Sequence, residues 1–468
     1  MTKHVLVLFH KDYRLLDHPA LSEASKQGIV VPLYIDEYST ASRSKTYERM
    51  AINTLQATIA QLGGTLLIRS GNPLTIIKNI IHDLHIAAIY THERYDPSGR
   101  HLMKKMEEEL SIPVFFLQGR LLTTPGTIMT NQETPYKVFT SFWKKVQQTS
   151  ILPPQKKPTH MEWFHGDVDK PFKDHGLTYF QPGEQQALKK WRQFLYDNIV
   201  DYETYRDFPA IDATSMLSAY VANGEISVRL LWYEAIEVLR IDDIEANDKH
   251  THKKKSIETF LKQLVWREFA YHQLYFFPEI IQQPLQAKFR QFEWLPTDSS
   301  LFTQWKEGQT GYPIVDAGMR ELKQTGYMHN RVRMITASFL VKHLLIHWRE
   351  GQDYFEKQLI DHDIANNTMG WQWVAGTGFD ASPFFRIFHP VKQAEKFDSD
   401  GTYMKKWVPE LRDLETTYIA KPWEAPSHIL AHAHIQLGID YPYPIVEHNT
   451  ARERALLAFD KLKTKKKE

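Results

Sequence analysis

Three hydroxyl side chains cluster in the run TSMLS, residues 214–218, which follows the turn residues DFPAIDA at the start of a predicted helix. Hydroxyls and free backbone N–H groups at the amino end of a helix form a cradle for an anion such as a pyrophosphate. The same residues are also ordinary helix caps. By itself the run therefore predicts a helix start that is able to bind an anion.

A second polar segment, DHDIANNTMGWQW, contains two carboxylates, an amide and two indoles. These side chains are Asp361, Asp363, Asn367, Trp371 and Trp373. Carboxylates and amides exchange hydrogen bonds with a polar ring ligand, and indoles offer it a flat apolar surface. A hard cation needs more oxygen ligands and a loop turned by Gly, so we predict no metal. Arg333 is a candidate ion-pair partner for one of the two Asp residues, because a buried carboxylate needs a counter-charge.

Two more predicted helices each bring polar groups and an Arg close together on one face or turn. The residues are Asn330, Arg331 and Met334 in one helix, and Gln263, Trp266 and Arg267 in the other. Residues three and four apart share a helix face. Such a face suits a flat, hydrogen-bonding ligand such as a flipped nucleobase. Amphipathic helices with a Trp at the core boundary have the same spacing, so the pattern alone leaves both interpretations open.

Composition excludes several other classes of site. The 468 residues include no Cys, which rules out disulfides, thiolate metal sites, a Cys nucleophile and iron–sulfur clusters and is typical of a reducing, cytoplasmic setting. The net charge is only +1, so affinity for nucleic acid must come from a local basic patch. The motifs GxSxG, HExxH and GxxxxGK[ST] do not occur. The apolar run at residues 5–9 is too short for a signal sequence or a membrane span, so we expect no membrane association.

The elements that position these residues change character along the chain. Apolar runs at residues 5–9, 30–35, 65–68, 86–90 and 114–117 alternate with helical periodicity, which predicts an α/β domain with a doubly wound parallel sheet at residues 1–125. Pro accumulates between 126 and 183, which indicates an inter-domain connector. Helical spacing, as at 256–274 and 332–348, then predicts a larger all-α domain at 184–468.

Four segments then carry a specific resemblance. WREF at 266–269, EGQTGYPIVDAGMREL at 307–322, HNRVRMITASFLVKHLLIHWREG at 329–351 and GWQW at 370–373 together resemble the DNA photolyase/cryptochrome family, most closely its class I cyclobutane pyrimidine dimer photolyases. The resemblance runs from FHKDYRLLDHPAL to YPYPIVEH and covers nearly the whole chain. It implies an antenna domain joined to a helical domain that binds FAD and receives a flipped pyrimidine dimer.

The resemblance also assigns the flavin-binding residues. Those matching the ribityl and phosphate arm are Tyr202, Thr214, Ser215, Met216, Leu217 and Ser218. Asp361, Asp363 and Asn367 match residues beside the isoalloxazine, and Arg333 matches the Arg that pairs with the first Asp. This set implies reduced FAD as the catalytic cofactor, with the protein tuning its electronics.

The resemblance further assigns the lesion pocket and an electron relay. Trp266 and Trp373 match the aromatic walls of that pocket, while the neighbouring contacts to lesion and DNA are Gln263, Arg267, Asn330, Arg331, Met334 and, on the basic rim, Arg206 and Arg386. Trp371, Trp348 and Trp294 match the indole chain that photoreduces oxidised flavin. The expected reaction is light-driven repair of cyclobutane dimers in UV-damaged DNA by a monomer.

Two positions leave the substrate and the antenna open. Members that act on (6-4) photoproducts have a His-His pair where this chain has His329 and Asn330, which favours cyclobutane dimers. However, Gln263 stands where cyclobutane-dimer enzymes usually have Glu and is typical of the (6-4) branch, so a (6-4) photolyase remains an alternative. A blue-light photoreceptor of the same fold is a further alternative, because the family includes such receptors. Ser98 and Gly99 replace the Asn-Glu of folate-binding members, which favours a deazaflavin-type antenna over methenyltetrahydrofolate. Another flavin-like chromophore and an empty crevice stay open as alternatives.

Overall fold

The chain divides into two compact units. The computed structural model describes residues 3–37, 41–173, 176, 179–242, 248–297 and 299–464. The first unit contains Met1–Glu203, Thr214–Pro278 and Ile360–Ala365, and the second contains Thr204–Ala213, Glu279–Leu359 and Asn366–Glu468. The three domain limits proposed from the sequence follow a change in hydrophobic pattern instead, and they stay a prediction.

A parallel sheet with the order β3-β2-β1-β4-β5 organises the first unit. Its strands are β1 His4–Phe9, β2 Ile29–Asp36, β3 Leu67–Ser70, β4 Ile86–His92 and β5 Val114–Leu117. The central strand β1 pairs with β2 on one side and with β4 on the other. Side chains of its two faces pack into separate apolar clusters, as Val7 and Leu8 show. All five predicted strands and the α/β class are therefore confirmed, and the strand order reverses beside β1, where such sheets form a ligand crevice.

Helices make up the remaining regular structure. In chain order they are α1 Pro19–Ala24, α2 Arg43–Gln61, α3 Pro73–Leu84, α4 Pro97–Glu109, α5 Phe139–Gln147, α6 Glu184–Gln193, α7 Tyr202–Tyr205, α8 Ser218–Ala222, α9 Val228–Asp242, α10 Asp248–Phe276, α11 Ser299–Glu307, α12 Pro313–Thr325, α13 Asn330–Ser338, α14 Trp348–Gln358, α15 Ile364–Ala375, α16 Pro390–Phe397, α17 Thr402–Trp407, α18 Thr416–Ile419, α19 Ser427–His432 and α20 His448–Thr464. Turns of π-helix lie at Phe194–Asn198 and Phe339–His343, and 3₁₀ turns lie at Ile199–Asp201, Pro278–Ile281, Ala287–Gln291, Pro409–Leu411 and Pro422–Glu424. The predicted all-α character of the carboxyl-terminal part is confirmed.

The prediction of one continuous helix over 332–348 is wrong in its second half. Helix α13 widens into the π-helical turn Phe339–His343. Leu345 then adopts a left-handed φ of 51°, which ends the right-handed helix. Helix α14 starts afresh at Trp348, where the Nδ1 of His347 accepts a hydrogen bond from the Arg349 N–H at 3.1 Å. Apolar periodicity persists across the break because both helices contribute to the same core.

The segment between the sheet and the helices has more structure than its Pro content indicates. It includes helix α5, and Trp163 forms a parallel bridge with Val30 of strand β2. Among the residues that the structure describes, no helix has both the length and the apolar character that a bilayer span requires.

Candidate functional site

The hydroxyl run at 214–218 forms the entry to α8 in the first unit. Only Ser218 is helical, whereas Leu217 occupies the cap position and Met216 adopts the left-handed φ of 51°. The predicted helix start therefore lies at the last residue of the run, and the preceding residues form a turn. Thr214 and Ser215 are half-buried. In the described part of the chain no side chain caps α8, which leaves its first N–H groups available to an anion.

Tyr202, the first residue of α7, precedes this segment in the chain and is buried. Its ring packs edge-on against Phe194 at 5.4 Å and Phe260 at 6.1 Å, measured between centroids. The side chain is therefore fixed by aromatic packing within the first unit.

The two predicted flavin carboxylates lie immediately before α15. Asp361 and Asp363 are 7% and 8% exposed. Oδ2 of Asp363 accepts a hydrogen bond from the Tyr271 hydroxyl at 2.5 Å. Between the two Asp residues, burial lowers the pKa of His362 to about 4, so this imidazole is neutral near pH 7. Its Nδ1 is buried and has no hydrogen-bond partner among the described residues.

Asn367 and Arg333 belong to the second unit. The Asn367 amide on α15 donates to the Gln352 carbonyl at 3.1 Å. Arg333 donates from Nε to the Met328 carbonyl at 2.7 Å, and its guanidinium lies 5.5 Å from the Tyr327 ring centroid. The predicted pairing of Arg333 with an Asp joins residues assigned to different units and stays a prediction.

Trp266 on α10 is held by a face-to-face stack. Its ring centroid lies 3.6 Å from that of Phe139 on α5, with an interplanar angle of 4°. Trp266 itself is half-buried. One turn earlier on the same helix, Gln263 donates to the Thr259 carbonyl at 3.1 Å. The predicted shared face of Gln263 and Trp266 is therefore present.

Arg267 differs from Gln263 and Trp266 on α10 because its side chain lies in the interior of the first unit. The side chain is buried, and Nη1 donates to the Arg120 carbonyl at 3.0 Å. It also lies 3.8 Å from a carboxylate oxygen of Glu268, whose pKa burial raises to about 7. This environment supports a structural role for Arg267 over the predicted contact with a DNA phosphate.

The polar residues of α13 form a second candidate surface. Asn330 is exposed, and its amide lies 3.9 Å from the sulfur of Met334, as the i, i+4 spacing predicts. Arg331 is half-buried and donates to Asp207 at 2.5 Å. His329 caps the helix by accepting from the Arg331 N–H at 3.2 Å, and burial lowers its pKa to about 4. Arg331 is thus already ion-paired within the second unit.

Trp373 and the remaining basic residues of the rim are more accessible than the core. Trp373 on α15 and Arg206 are half-buried, while Arg386 is exposed. Arg386 follows α15 in an irregular stretch, where its backbone N–H donates to the Pro383 carbonyl at 2.9 Å. These positions suit contacts with an external partner.

The three indoles of the predicted relay run from the core toward the surface of the second unit. Trp371 and Trp348 are fully buried, and Trp294 is half-buried. The imidazole of His347 lies between the outer two, 5.2 Å from Trp294 and 5.4 Å from Trp348 between centroids. The ring of Trp371 packs directly on Gly351, one turn along α14 from Trp348. This order of burial is what a relay from solvent requires.

Among the described residues, one group of three side chains has the ligand types of a metal site. Asp12, His18 and His92 are buried, with carboxylate-to-imidazole distances of 2.8 Å to His92 and 3.5 Å to His18. His18 Nδ1 accepts the Leu21 N–H at 3.0 Å and His92 Nε2 accepts the Ala20 N–H at 3.4 Å, so in each ring the nitrogen that faces Asp12 is the one that carries a proton. A metal-bound imidazole has the opposite arrangement, donating from its outer nitrogen. We therefore assign no metal to this cluster.

A narrow crevice lies at the carboxyl ends of the strands. Its lining combines thioether and aromatic groups, such as Met103 and Phe116, with ionic ones. Arg94 in its wall pairs with Glu37 at 3.0 Å. The nearby Ser98 hydroxyl and Gly99 N–H both bond to Asp96, which caps α4. Ser98 and Gly99 thus serve the helix start.

Sequence reasoning missed three neighbours of the predicted residues. Phe139 stacks on Trp266, Tyr271 bonds to Asp363, and His347 separates two indoles. The first two contacts join residues far apart in the chain, so no local spacing could reveal them. His347 directly precedes Trp348, but the predicted continuous helix hid its role as a cap.

Comparison with known proteins identifies the family of this chain. A family model described as DNA photolyase matches residues 5–160, and one described as the FAD binding domain of DNA photolyase matches 260–461. The deoxyribodipyrimidine photo-lyase of Agrobacterium fabrum is 41% identical, over 99% of this chain and 98% of its own. Cryptochrome-2 of Arabidopsis thaliana is 33% identical, over 97% of this chain and 78% of its own.

A solved structure is also similar over the whole length. The crystal structure of a bacterial class III photolyase from Agrobacterium tumefaciens gives a TM-score of 0.91 at 40% identity, covering 99% of this chain and 98% of that one. The matches do not separate class I from class III, so the narrower class stays a prediction. They do confirm a photolyase-type enzyme with a FAD-binding domain. The chain belongs to the DNA photolyase/cryptochrome family.

Proposed function

We propose that the protein repairs cyclobutane pyrimidine dimers in UV-damaged DNA with light and reduced FAD. The observation that carries the proposal is the half-buried indole of Trp266, which Phe139 fixes by stacking at 3.6 Å. A rigid aromatic face beside the amide of Gln263 is the surface on which an extruded base stacks. A receptor that only senses light has no need of such a surface.

The residues present fit FAD by their chemistry. The hydroxyls and backbone N–H groups at 214–218 suit a pyrophosphate, and the buried carboxylates of Asp361 and Asp363 suit the N–H groups of a flavin ring. The unsatisfied Nδ1 of His362 marks a polar position that a ligand would complete. We propose Tyr202, Asn367 and Arg333 as the remaining contacts.

Bound in reduced form, FAD would supply, on absorbing blue light, the electron that opens the cyclobutane ring, and would take that electron back afterwards. The protein's own residues bind and orient the two partners. Trp266 and Trp373 form stacking surfaces, whereas Asn330 and Met334 supply a polar and a thioether contact. Electrons that reduce an oxidised flavin would pass inward through the indoles of Trp294, Trp348 and Trp371. No acid, base or metal is needed.

The contribution of Gln263 to lesion recognition and repair can be tested by substitution. A Gln amide both donates to and accepts from a thymine edge, but it has no carboxylic proton to give. We therefore expect cyclobutane dimers to be bound and repaired, with a higher repair quantum yield in Gln263→Glu. Equal repair quantum yields in the two proteins would contradict this role of residue 263. Repair of (6-4) photoproducts instead of cyclobutane dimers would favour the (6-4) alternative.

The decisive experiment is repair of a dimer-containing oligonucleotide under blue light, with a matched dark control. The proposal requires restored thymines only in the illuminated sample. A yellow, FAD-containing protein that binds the oligonucleotide but leaves dimers intact in both samples would favour the blue-light receptor. We further propose that the protein acts as a monomer in the cytoplasm.

The crevice at the strand ends is our proposed antenna site. Its thioether and aromatic lining suits a flat heteroaromatic ring, and Arg94 adds a polar contact. Because Ser98 and Gly99 stand where folate-binding members have Asn-Glu, a deazaflavin-type chromophore is favoured over methenyltetrahydrofolate. The absorption spectrum of intact protein tests this: a deazaflavin gives a band beyond those of reduced FAD, and a folate band contradicts the assignment.

A further inference from the structure

A buried phenol lies against the second of the two flavin carboxylates. Tyr271 on α10 is 3% exposed, and its hydroxyl donates to Oδ2 of Asp363 at 2.5 Å. Burial, together with the charge of Asp363, raises the pKa of Tyr271 well above its ordinary value, so the phenol keeps the proton that it donates. The contact is a charge-assisted hydrogen bond inside the first unit.

The ring of Tyr271 is held on its face and on its edge. The guanidinium of Arg267 lies 4.9 Å from the ring centroid, and Tyr95 packs edge-on at 6.3 Å. Arg267 is anchored in turn by its bond to the Arg120 carbonyl. A phenol constrained in this way directs its O–H along one line, and the carboxylate that receives it loses rotational freedom.

Arg120 adds positive charge to the same cluster. Its side chain is buried, and its Nε has no hydrogen-bond partner among the described residues. Burial acts to lower the pKa of Arg120, but interactions with Tyr271 and Asp363 outweigh it and raise the pKa. A cation near a carboxylate favours the ionised form, which is the form that accepts hydrogen bonds from a ring N–H.

We propose that Tyr271 is a positioning residue for the flavin, because its hydroxyl holds Asp363 in one orientation and so presents a fixed acceptor to the ring. The proposal rests on the proposed function, which makes Asp363 a flavin ligand. An acceptor that is already ordered costs less entropy on binding. A fixed negative charge beside the ring also tunes the electronics of the cofactor.

The variant Tyr271→Phe tests the hydroxyl while keeping the ring contacts. Without the hydroxyl, Asp363 must be ordered when FAD binds, and the entropy of ordering one side chain should weaken FAD binding by about two- to tenfold. We expect that loss in a fluorescence titration of FAD release, together with a shifted visible absorption band of the bound flavin. The matched control is Tyr95→Phe, which deletes a buried hydroxyl that donates to Glu93 at 2.6 Å. This control should keep the wild-type FAD affinity and spectrum.

A double-variant cycle tests whether the hydroxyl acts through the carboxylate. In an Asp363→Ala background, which has no acceptor for the hydroxyl, Tyr271→Phe should add little further loss of FAD affinity, whereas independent roles would give additive losses. Additive losses, an unchanged spectrum and affinity in Tyr271→Phe, or an equal loss in Tyr95→Phe would each overturn the proposal. Wild-type protein without FAD would instead contradict the proposed function, so the two failures are distinguishable.

Discussion

Adding a methyl group at Gly351 should push the first indole of the relay out of place. An ideal Cβ there would lie 2.0 Å from Cη2 of Trp371 and 2.5 Å from its Cζ3. Non-bonded carbons are in contact at roughly 3.5–4.0 Å, so the ring or the helix must move by about 1.5 Å. Overpacking lowers the free energy of unfolding by about 1–3 kcal/mol, whereas replacing Gly by Ala inside a helix raises it by about 1 kcal/mol. The expected net destabilisation is about 0–2 kcal/mol.

The functional effect of Gly351→Ala should exceed its effect on stability. Electron transfer weakens steeply with distance, so blue-light photoreduction of oxidised FAD should slow while dimer repair by chemically pre-reduced enzyme is retained. The assay is the rate of flavin bleaching under illumination, with thermal unfolding measured in parallel.

The matched control for this prediction is Gly370→Ala on α15. Gly370 is exposed, and an added Cβ there meets nothing within 4 Å. This variant should gain about 1 kcal/mol of stability and photoreduce at the wild-type rate. The reasoning is refuted if Gly351→Ala photoreduces as fast as the wild type, or if both variants slow equally.

Three further outcomes follow from the same structure. Phe139→Ala removes the stack on Trp266, so affinity for dimer-containing DNA should fall about five- to tenfold in a binding titration while affinity for undamaged DNA is unchanged; an equal fall for both would contradict the role of the stack. Asp207→Asn releases Arg331 from its ion pair, so affinity for undamaged DNA should rise. The slope of the logarithm of the binding constant against the logarithm of salt concentration should steepen by about one. An unchanged slope would mean that Arg331 does not contact phosphates. Burial raises the pKa of Glu225 to about 8, above its value in the unfolded chain, so the stability that its protonated form contributes is lost as pH rises toward 8. The variant Glu225→Gln should therefore lose less unfolding free energy than the wild type between pH 5 and 8. Parallel pH profiles of the two proteins would refute this.

The sequence by itself determined the fold class and, through the resemblance of its motifs, the family, while its assignment of site residues stays a prediction. Hydrophobic periodicity identified all five strands because each is a short apolar run between turn residues, and strands buried on both faces of a parallel sheet have that pattern. The shared faces of Gln263 with Trp266 and of Asn330 with Met334 also followed from spacing, because the 3.6-residue period of a helix is a local property.

Only the tertiary structure decided which partners hold those residues. The helix break at Leu345 leaves no trace in periodicity, since the residues on both sides of it pack into one core. The contacts of Phe139 with Trp266, of Tyr271 with Asp363 and of Asp207 with Arg331 each join residues more than ninety positions apart. A pattern read within a few helical turns has no information about such pairs, because chain folding brings them together and local conformation does not.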